Sequence, residues 1–274
     1  MKHDTLPNFV VKPGSRVSID RHDPADTGTF EDKEGAEKQV KRNVERLNEL
    51  QEVLYAENRR SVLLVLQGMD GSGKDGTVQH VMSGLNPMGV TVVSFKKPTE
   101  EELDHDYLWR VHKVCPARGD ITVFNRSHYE DVLVVRVLKM IDKAECKRRY
   151  RQINEFERML ADNGTTIIKC FLHISKDEQR ERLEARLHDP LKNWKFQPAD
   201  LDVRKQWGDY MGKGGAYEDM LNATSTEAAP WHVIPADKKW FRNLAVSSLL
   251  VSMLEGMKLK MPRPVKDWAR VRVE

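Results

Sequence analysis

The chain has 274 residues, of which 39% are hydrophobic and 7% aromatic, and its formal charge at pH 7 is only +3. That length supports one larger domain with its own core, and the near-balanced charge argues against a nucleic-acid binder built on bulk basicity. Cys115, Cys146 and Cys170 show no C-x-x-C pairing, the N-terminus has no signal-peptide apolar core, and no apolar run is long enough to cross a membrane. A soluble protein of the reducing cytoplasm, without membrane attachment, is therefore expected.

Residues 1–32 mix Pro, Gly, Asp and Arg without periodicity and read as an extended arm. Over 33–58, Val40, Val44, Leu47, Leu50 and Leu54 recur at helical spacing, which predicts an amphipathic helix lying on the body or on a partner. A short apolar run at 61–67 predicts a strand, and a helix follows from Lys74 to about Leu85, before Asn86-Pro87. Further strands are predicted at 90–95, 121–125, 165–173 and 231–235. Thr99 with Glu102, and Ser175 with Glu178, have the spacing of capping boxes. A helix over 143–162 should stop at Asn163-Gly164. Between His188 and Thr226, charge, Pro, Gly and Trp replace apolar periodicity. A strongly apolar helix over 238–257 ends the domain at about 259, and residues 260–274 form a basic tail. Apolar strands alternating with helices predict an α/β fold, a parallel sheet covered on both faces, with ligands beyond the carboxyl ends of its strands.

The most informative segment joins the first strand to its helix. Gly68-Met69-Asp70-Gly71-Ser72-Gly73-Lys74-Asp75-Gly76-Thr77 has the glycine and lysine spacing of a phosphate-binding loop. Its glycines let successive amides turn inward, the helix adds its positive end, and Lys74 reaches the terminal phosphates. Asp75 stands where a Ser or Thr hydroxyl normally binds magnesium, and Asp70 lies inside the loop. Two acids among phosphates repel the ligand unless metal ions lie between them. An acid at a helix start also serves as a plain cap, so the combination is what points to phosphoryl chemistry.

Two more clusters face the same chemistry. The third strand ends in Asn125-Arg126, followed by Ser127-His128-Tyr129-Glu130-Asp131. Asn125 occupies the place of a phosphate-loop enzyme's second magnesium group, and Arg126 can lay a forked guanidinium on a phosphate. Glu130 and Asp131 open a helix, where complementing the helix dipole is an equally good account of them. Arg182 and Arg186 lie four residues apart, before Lys192 and Lys195. They fit either a solvated helix of Glu–Arg pairs, with Glu178 and Glu184, or a lid that carries cations over a polyanion. His128 and His188 lack zinc-ligand spacing.

Together these segments closely resemble the family 2 polyphosphate kinases, from about residue 35 to 255. The resemblance is carried by Gly68 to Gly76, by Phe124-Asn125-Arg126-Ser127-His128-Tyr129, by the lid sequence Asp189-Pro190-Leu191-Lys192-Asn193-Trp194-Lys195, and by Ala229-Pro230-Trp231 with Pro235-Ala236-Asp237-Lys238. It implies a three-layer P-loop kinase-like fold, five parallel strands between helices, with a helical lid over about 182–215. It also implies magnesium-dependent transfer between inorganic polyphosphate and AMP or ADP, with manganese able to substitute, in a homo-oligomer, dimer or tetramer. In that reading Asp70, Lys74, Arg126 and Glu130 are catalytic, and Asp70 and Glu130 hold the metal. Gly68, Met69, Gly71, Ser72, Gly73, Asp75, Gly76, Thr77, Asn125, Arg182, Arg186, Lys192 and Lys195 bind phosphate or nucleotide. Asn125 in place of a family Asp, and His128 in place of a frequent Trp, resemble the subgroup accepting both mono- and diphosphates, with Glu130 as the replacement carboxylate. Two alternatives stand beside this reading. One is an ATP-dependent nucleoside monophosphate kinase, which Asp75 speaks against. The other is a non-catalytic polyphosphate or nucleic-acid binder, which Lys74 and the scarcity of aromatics disfavour.

Overall fold

Five apolar runs become five parallel strands: β1 (Ser61–Gln67), β2 (Val90–Ser94), β3 (Ile121–Asn125), β4 (Thr165–His173) and β5 (Trp231–Pro235). They form one sheet in the order β2-β3-β1-β4-β5. Central β1 is buried along its whole length, as expected of a parallel strand covered on both faces. The structure is a computed structural model and describes residues 8–30, 32–196, 198–263 and 272.

The helices are α1 (Lys33–Glu57), α2 (Lys74–Met82), α3 (Glu100–Leu103), α4 (Trp109–His112), α5 (Glu130–Val137) and α6 (Lys143–Asp162). They continue as α7 (Lys176–His188), α8 (Pro198–Lys205), α9 (Trp207–Met211), α10 (Ala216–Thr224) and α11 (Lys239–Gly256). On one face of the sheet α5, α6 and α10 bury Val132, Leu133, Ile153, Met220 and Leu221 against Leu63, Val65 and Phe171. On the other, α1, α2 and α11 bury Leu47, Leu54, Val81, Phe241 and Leu250 against Leu64, Leu66 and Ile168. Each such side chain contributes roughly 1.5–3 kcal/mol. The apolar faces of α1 and α11 are spent largely on each other and the sheet, joined by Asn43, which donates to Ser247 and Ser248 at 2.9 and 2.8 Å.

Local signals explain most boundaries. Asp32 caps α1 through the amides of Glu34 and Gly35, and α1 ends on Asn58 in the left-handed conformation. Thr99 and Glu102 form both bonds of their capping box. Ser175 and Glu178 form only half of theirs: the Ser175 hydroxyl accepts from the Glu178 amide, while the Ser175 amide goes to Asp237 and the Glu178 carboxylate to Arg182. Helix α2 stops at Met82 rather than Leu85, where Ser83-Gly84 bring the chain against Val44 of α1.

The predicted arm is extended but not detached. Val10 makes an antiparallel bridge to His232, the Val11 amide donates to the Trp231 carbonyl, and Val11 and Ile19 are core residues. Positions 1–7 and 31 of that arm, and 264–271, 273 and 274 of the basic tail, lie outside the described residues. The stretch 182–215, expected to form a lid, holds the end of α7 and helices α8 and α9. Gln179 and Leu183 anchor α7 on the body, whereas Leu191 and Trp194 beyond it are exposed. Among the described residues no helix is long and apolar enough to cross a membrane.

The chain leaves β1 toward β2 and leaves β4 toward β5, so the crevice opens at the carboxyl ends of β1 and β4. The glycine-rich loop occupies that crevice.

Candidate active site

The loop begins where β1 runs out. Gly68 has φ 150°, and a Cβ there would stand 2.7 Å from the Leu172 carbonyl of β4, so no other residue fits. The amides of Lys74, Asp75 and Gly76 open α2 and have no acceptor within the helix, whose first such bond is Thr77 to Gly73 at 2.9 Å. These amides form an anion cradle. The side chains of Met69, Ser72 and Thr77 do not face it. Met69 is core, Ser72 is fully buried, and the Thr77 hydroxyl donates back to the Gly73 carbonyl.

Lys74 is folded onto its own loop, donating to the carbonyls of Gly68 at 2.7 Å and Met69 at 3.2 Å. Burial lowers its pKa and Arg126 adds to the effect, while Asp70, Glu130 and Asp75 oppose it. The ammonium is thus held by neutral carbonyls that a phosphate oxygen can replace. Asp75 does not point at the cradle alone, because Asn125 donates to its carboxylate at 2.7 Å across the β1–β3 gap.

Arg126 is the third member. Its backbone is left-handed, φ 63°, an uncommon state for a long side chain. Its amide donates to the Leu66 carbonyl, and its guanidinium pairs with Asp70 and lies 3.6 Å from Glu130. Burial alone would weaken this cation, but Asp70 and Glu130 more than offset it and keep it charged. Burial raises the Glu130 carboxyl, with Arg126 and Lys74 acting against the rise. Two carboxylates therefore flank one arginine beside the loop lysine, and all four predicted catalytic residues meet at one place.

Below this turn lies a wholly buried polar network. Lys169 of β4 donates to Glu157 at 2.6 Å, to the Tyr129 hydroxyl at 2.8 Å and to the Thr224 carbonyl at 2.7 Å. Glu157 also accepts from Tyr129 at 2.7 Å and sits 3.2 Å from His128 Nε2. His128 and Tyr129 are thus the buried root of the turn that presents Arg126 and Glu130.

The four cations of the expected lid part company. Arg182 gives Nη1 to the carbonyls of Gly71 and Ser72, Nη2 to those of Ala236 and Asp237, and Nε to Glu178 at 2.7 Å. With its N–H groups so engaged, it is a strut under the loop. The predicted Glu178–Arg182 pair is present. Arg186 reaches Asp200 of α8 at 3.6 Å, and exposed Lys192 pairs with Asp189 at 2.5 Å. The Lys195 side chain lies outside the described residues.

Four contributors were not foreseen. Gln179 holds the Asp70 carbonyl at 2.8 Å and accepts from Arg204 at 2.9 Å, tying α8 to the loop. Tyr210 and Tyr217 lie close enough to Asp70 and Glu130 for those charges to add to burial. The Tyr210 phenol is pushed up to about 12, and both hydroxyls stay protonated. No pattern in the sequence marks either tyrosine.

A parallel sheet, an anion cradle with its lysine, and an arginine between two acids define a P-loop phosphotransferase. The sequence model of the family described as Polyphosphate kinase 2 (PPK2) matches residues 30–262, and the chain belongs to that family. An AMP/ADP-polyphosphate phosphotransferase from Meiothermus ruber is 52% identical over 270 residues, covering 98% of this chain and 100% of its own. An ADP-polyphosphate phosphotransferase from Rhodopseudomonas palustris is 46% identical over 93% of this chain and 91% of its own. The crystal structure of polyphosphate kinase 2 from Arthrobacter aurescens matches with a TM-score of 0.91 at 47% identity, covering 96% of this chain and 93% of that one.

Proposed function

We propose that this protein transfers the terminal phosphoryl group of inorganic polyphosphate to AMP and ADP, reversibly, forming ADP and ATP. The observation that carries the reading is the loop itself: an intact lysine and cradle, with Asp75 bonded to Asn125 where an ATP–magnesium enzyme keeps a hydroxyl. The full-length likeness to the Meiothermus ruber protein supports the pair of acceptors.

A terminal oxygen of the acceptor phosphate forms the new P–O bond as the polyphosphate P–O bond breaks, and the shortened polyphosphate leaves with the electron pair. The attacking oxygen is already ionised and the departing oxygen leaves as a stable phosphate anion, so no proton need move, and alignment and charge neutralisation are what the protein must supply. The cradle amides and Lys74 hold the phosphates. Arg126, kept charged by its acids, neutralises the group in flight. Tyr210 and Tyr217, as protonated phenols, bound the site and help to exclude water.

The donor set fits magnesium. Asp70 and Glu130 offer two carboxylates, and no cluster of three His, Cys, Asp or Glu able to hold a metal occurs among the described residues. An ion that takes one or two carboxylates and fills its shell with phosphates and water matches that set. Asp70 and Glu130 would hold the ion, which would neutralise phosphate charge, and manganese suits the same oxygens. A cytoplasmic homo-oligomer belongs to the same proposal on the strength of the family resemblance.

The test is one assay. Purified protein with magnesium, long-chain polyphosphate and AMP or ADP, without ATP, should yield ADP and ATP. Activity only with ATP as donor would point to a nucleoside monophosphate kinase, and binding without turnover to a polyphosphate-binding protein.

A further inference from the structure

Arg242 of α11 is 3% exposed, yet no carboxylate among the described residues pairs with it. Among the described residues its guanidinium hydrogen-bonds neutral oxygens only. Nη1 donates to the Ser72 carbonyl at 3.3 Å, and Nε and Nη2 to Asn243 Oδ1 at 3.3 and 2.9 Å. A buried charge with neutral partners is unfavourable. Burial, with Arg182 as a positive neighbour, lowers the Arg242 pKa to about 10. The charge also lies at the wrong end of a helix, against the first turn of α2, where the dipole is already positive.

The loop makes room for this cation. A Cβ on Gly73 would fall 1.8 Å from Arg242 Nη1, and one on Gly76 would fall 3.2 Å from Nη2. Gly76 has no positive φ to adopt and sits inside α2, where glycine weakens a helix. Close approach of the guanidinium accounts for it. The contact also orients the loop. Arg182 and Arg242 share the Ser72 carbonyl from behind. Because C=O and N–H of one trans peptide point opposite ways, holding that carbonyl back turns the Gly73 amide forward.

We infer that Arg242 is a positioning residue of the phosphate loop: it holds the Ser72 carbonyl behind the loop and supplies, past Gly73 and Gly76, an uncompensated positive charge that the terminal phosphates of polyphosphate neutralise. This rests on the loop being the polyphosphate site. The charge acts through the backbone, and the residue itself does not touch the reacting atoms.

The experiment compares full-length wild type with Arg242→Gln, Arg242→Lys and Gly76→Ala. Melting temperature is read with and without inorganic polyphosphate, and KM and kcat are read with ADP. Arg242→Gln should melt no lower than wild type when free, but lose most of the polyphosphate-induced rise, with KM for polyphosphate up about tenfold and kcat less affected. Arg242→Lys, which keeps the charge, should recover most of that rise. Gly76→Ala should fold at least as stably, since alanine favours the helix, and move KM in the same direction by displacing Nη2. An Arg242→Gln chain that melts lower when free yet keeps the wild-type rise overturns the inference in favour of a plain structural role. A lysine variant as poor as the glutamine one also overturns it. If wild type gains nothing from polyphosphate, the inference falls together with the functional reading beneath it; if wild type gains and Arg242→Gln gains equally, it falls alone.

Discussion

Asn125 and Asp75 are joined by a 2.7 Å hydrogen bond that links the end of β3 to the first turn of α2. The amide lets the loop carry an acid beside its lysine without a second acid opposing it. Asn125→Asp would set two carboxylates against each other. The variant should melt about 2–4 °C lower in metal-free buffer, recover with magnesium, and change its relative use of AMP and ADP. Kinetics with each acceptor check this, and an unchanged ratio would separate Asn125 from acceptor choice.

Lys74 rests on two loop carbonyls that can return to water when it is removed. Lys74→Ala should therefore unfold at nearly the wild-type temperature and turn over at least about 100-fold more slowly. A thermal melt beside a coupled ATP assay reads both, and near-normal turnover would remove the loop from the mechanism.

Burial holds the Glu130 carboxyl above its ordinary value of 4.5. The folded chain therefore binds that proton more tightly than the unfolded one. Its contribution to stability is full below the ordinary value and is lost as pH rises through the folded one. Glu130→Gln should melt at or above wild type near neutral pH, with the gap closing toward pH 4.5. It should also need more magnesium and lose about 100-fold or more in turnover. A melting series across pH, with a magnesium titration of activity, tests it.

Lys169→Met leaves Glu157 buried without its cation and should cost about 3–5 kcal/mol in urea denaturation. Adding Glu157→Leu should return part of the loss, because the stranded charge goes with it. Failure of the double variant to recover would mean that the hydrogen bonds to Tyr129 and His128 matter more than the charge.

Arg182 and Arg186 were indistinguishable by spacing but should separate sharply by function. Arg182→Ala frees the carbonyls of Gly71, Ser72, Ala236 and Asp237 and should lower kcat/KM about 100-fold. Arg186→Ala loses a 3.6 Å pair with Asp200 and should stay within about fivefold. Steady-state kinetics on the two variants decide it.

The strands and the loop were legible because their signals are local. A parallel strand covered on both faces must be a short apolar run, and a phosphate cradle must bend at glycines next to a lysine. Arg182 was visible as a residue but not as a strut, because its partners are backbone carbonyls, which leave no trace in side-chain spacing. Arg242 lies 170 residues from the carbonyl it holds, and no pattern in its own helix marks it. The one available sign was Gly76, a glycine inside a helix with no turn to make. Tyr210 and Tyr217 were missed because segment 188–226 shows no helical period even where it folds into α8, α9 and α10.

The loop opens at Gly68, but the side chain behind it comes from α11, the last helix among the described residues, which also packs on α1. A chain that stops before α11 has Lys74 and the glycines in its sequence but lacks both the side chain that holds the Ser72 carbonyl and the apolar face that α11 lays on the sheet. A chain cut before α11 should therefore bind polyphosphate more weakly than one that carries it.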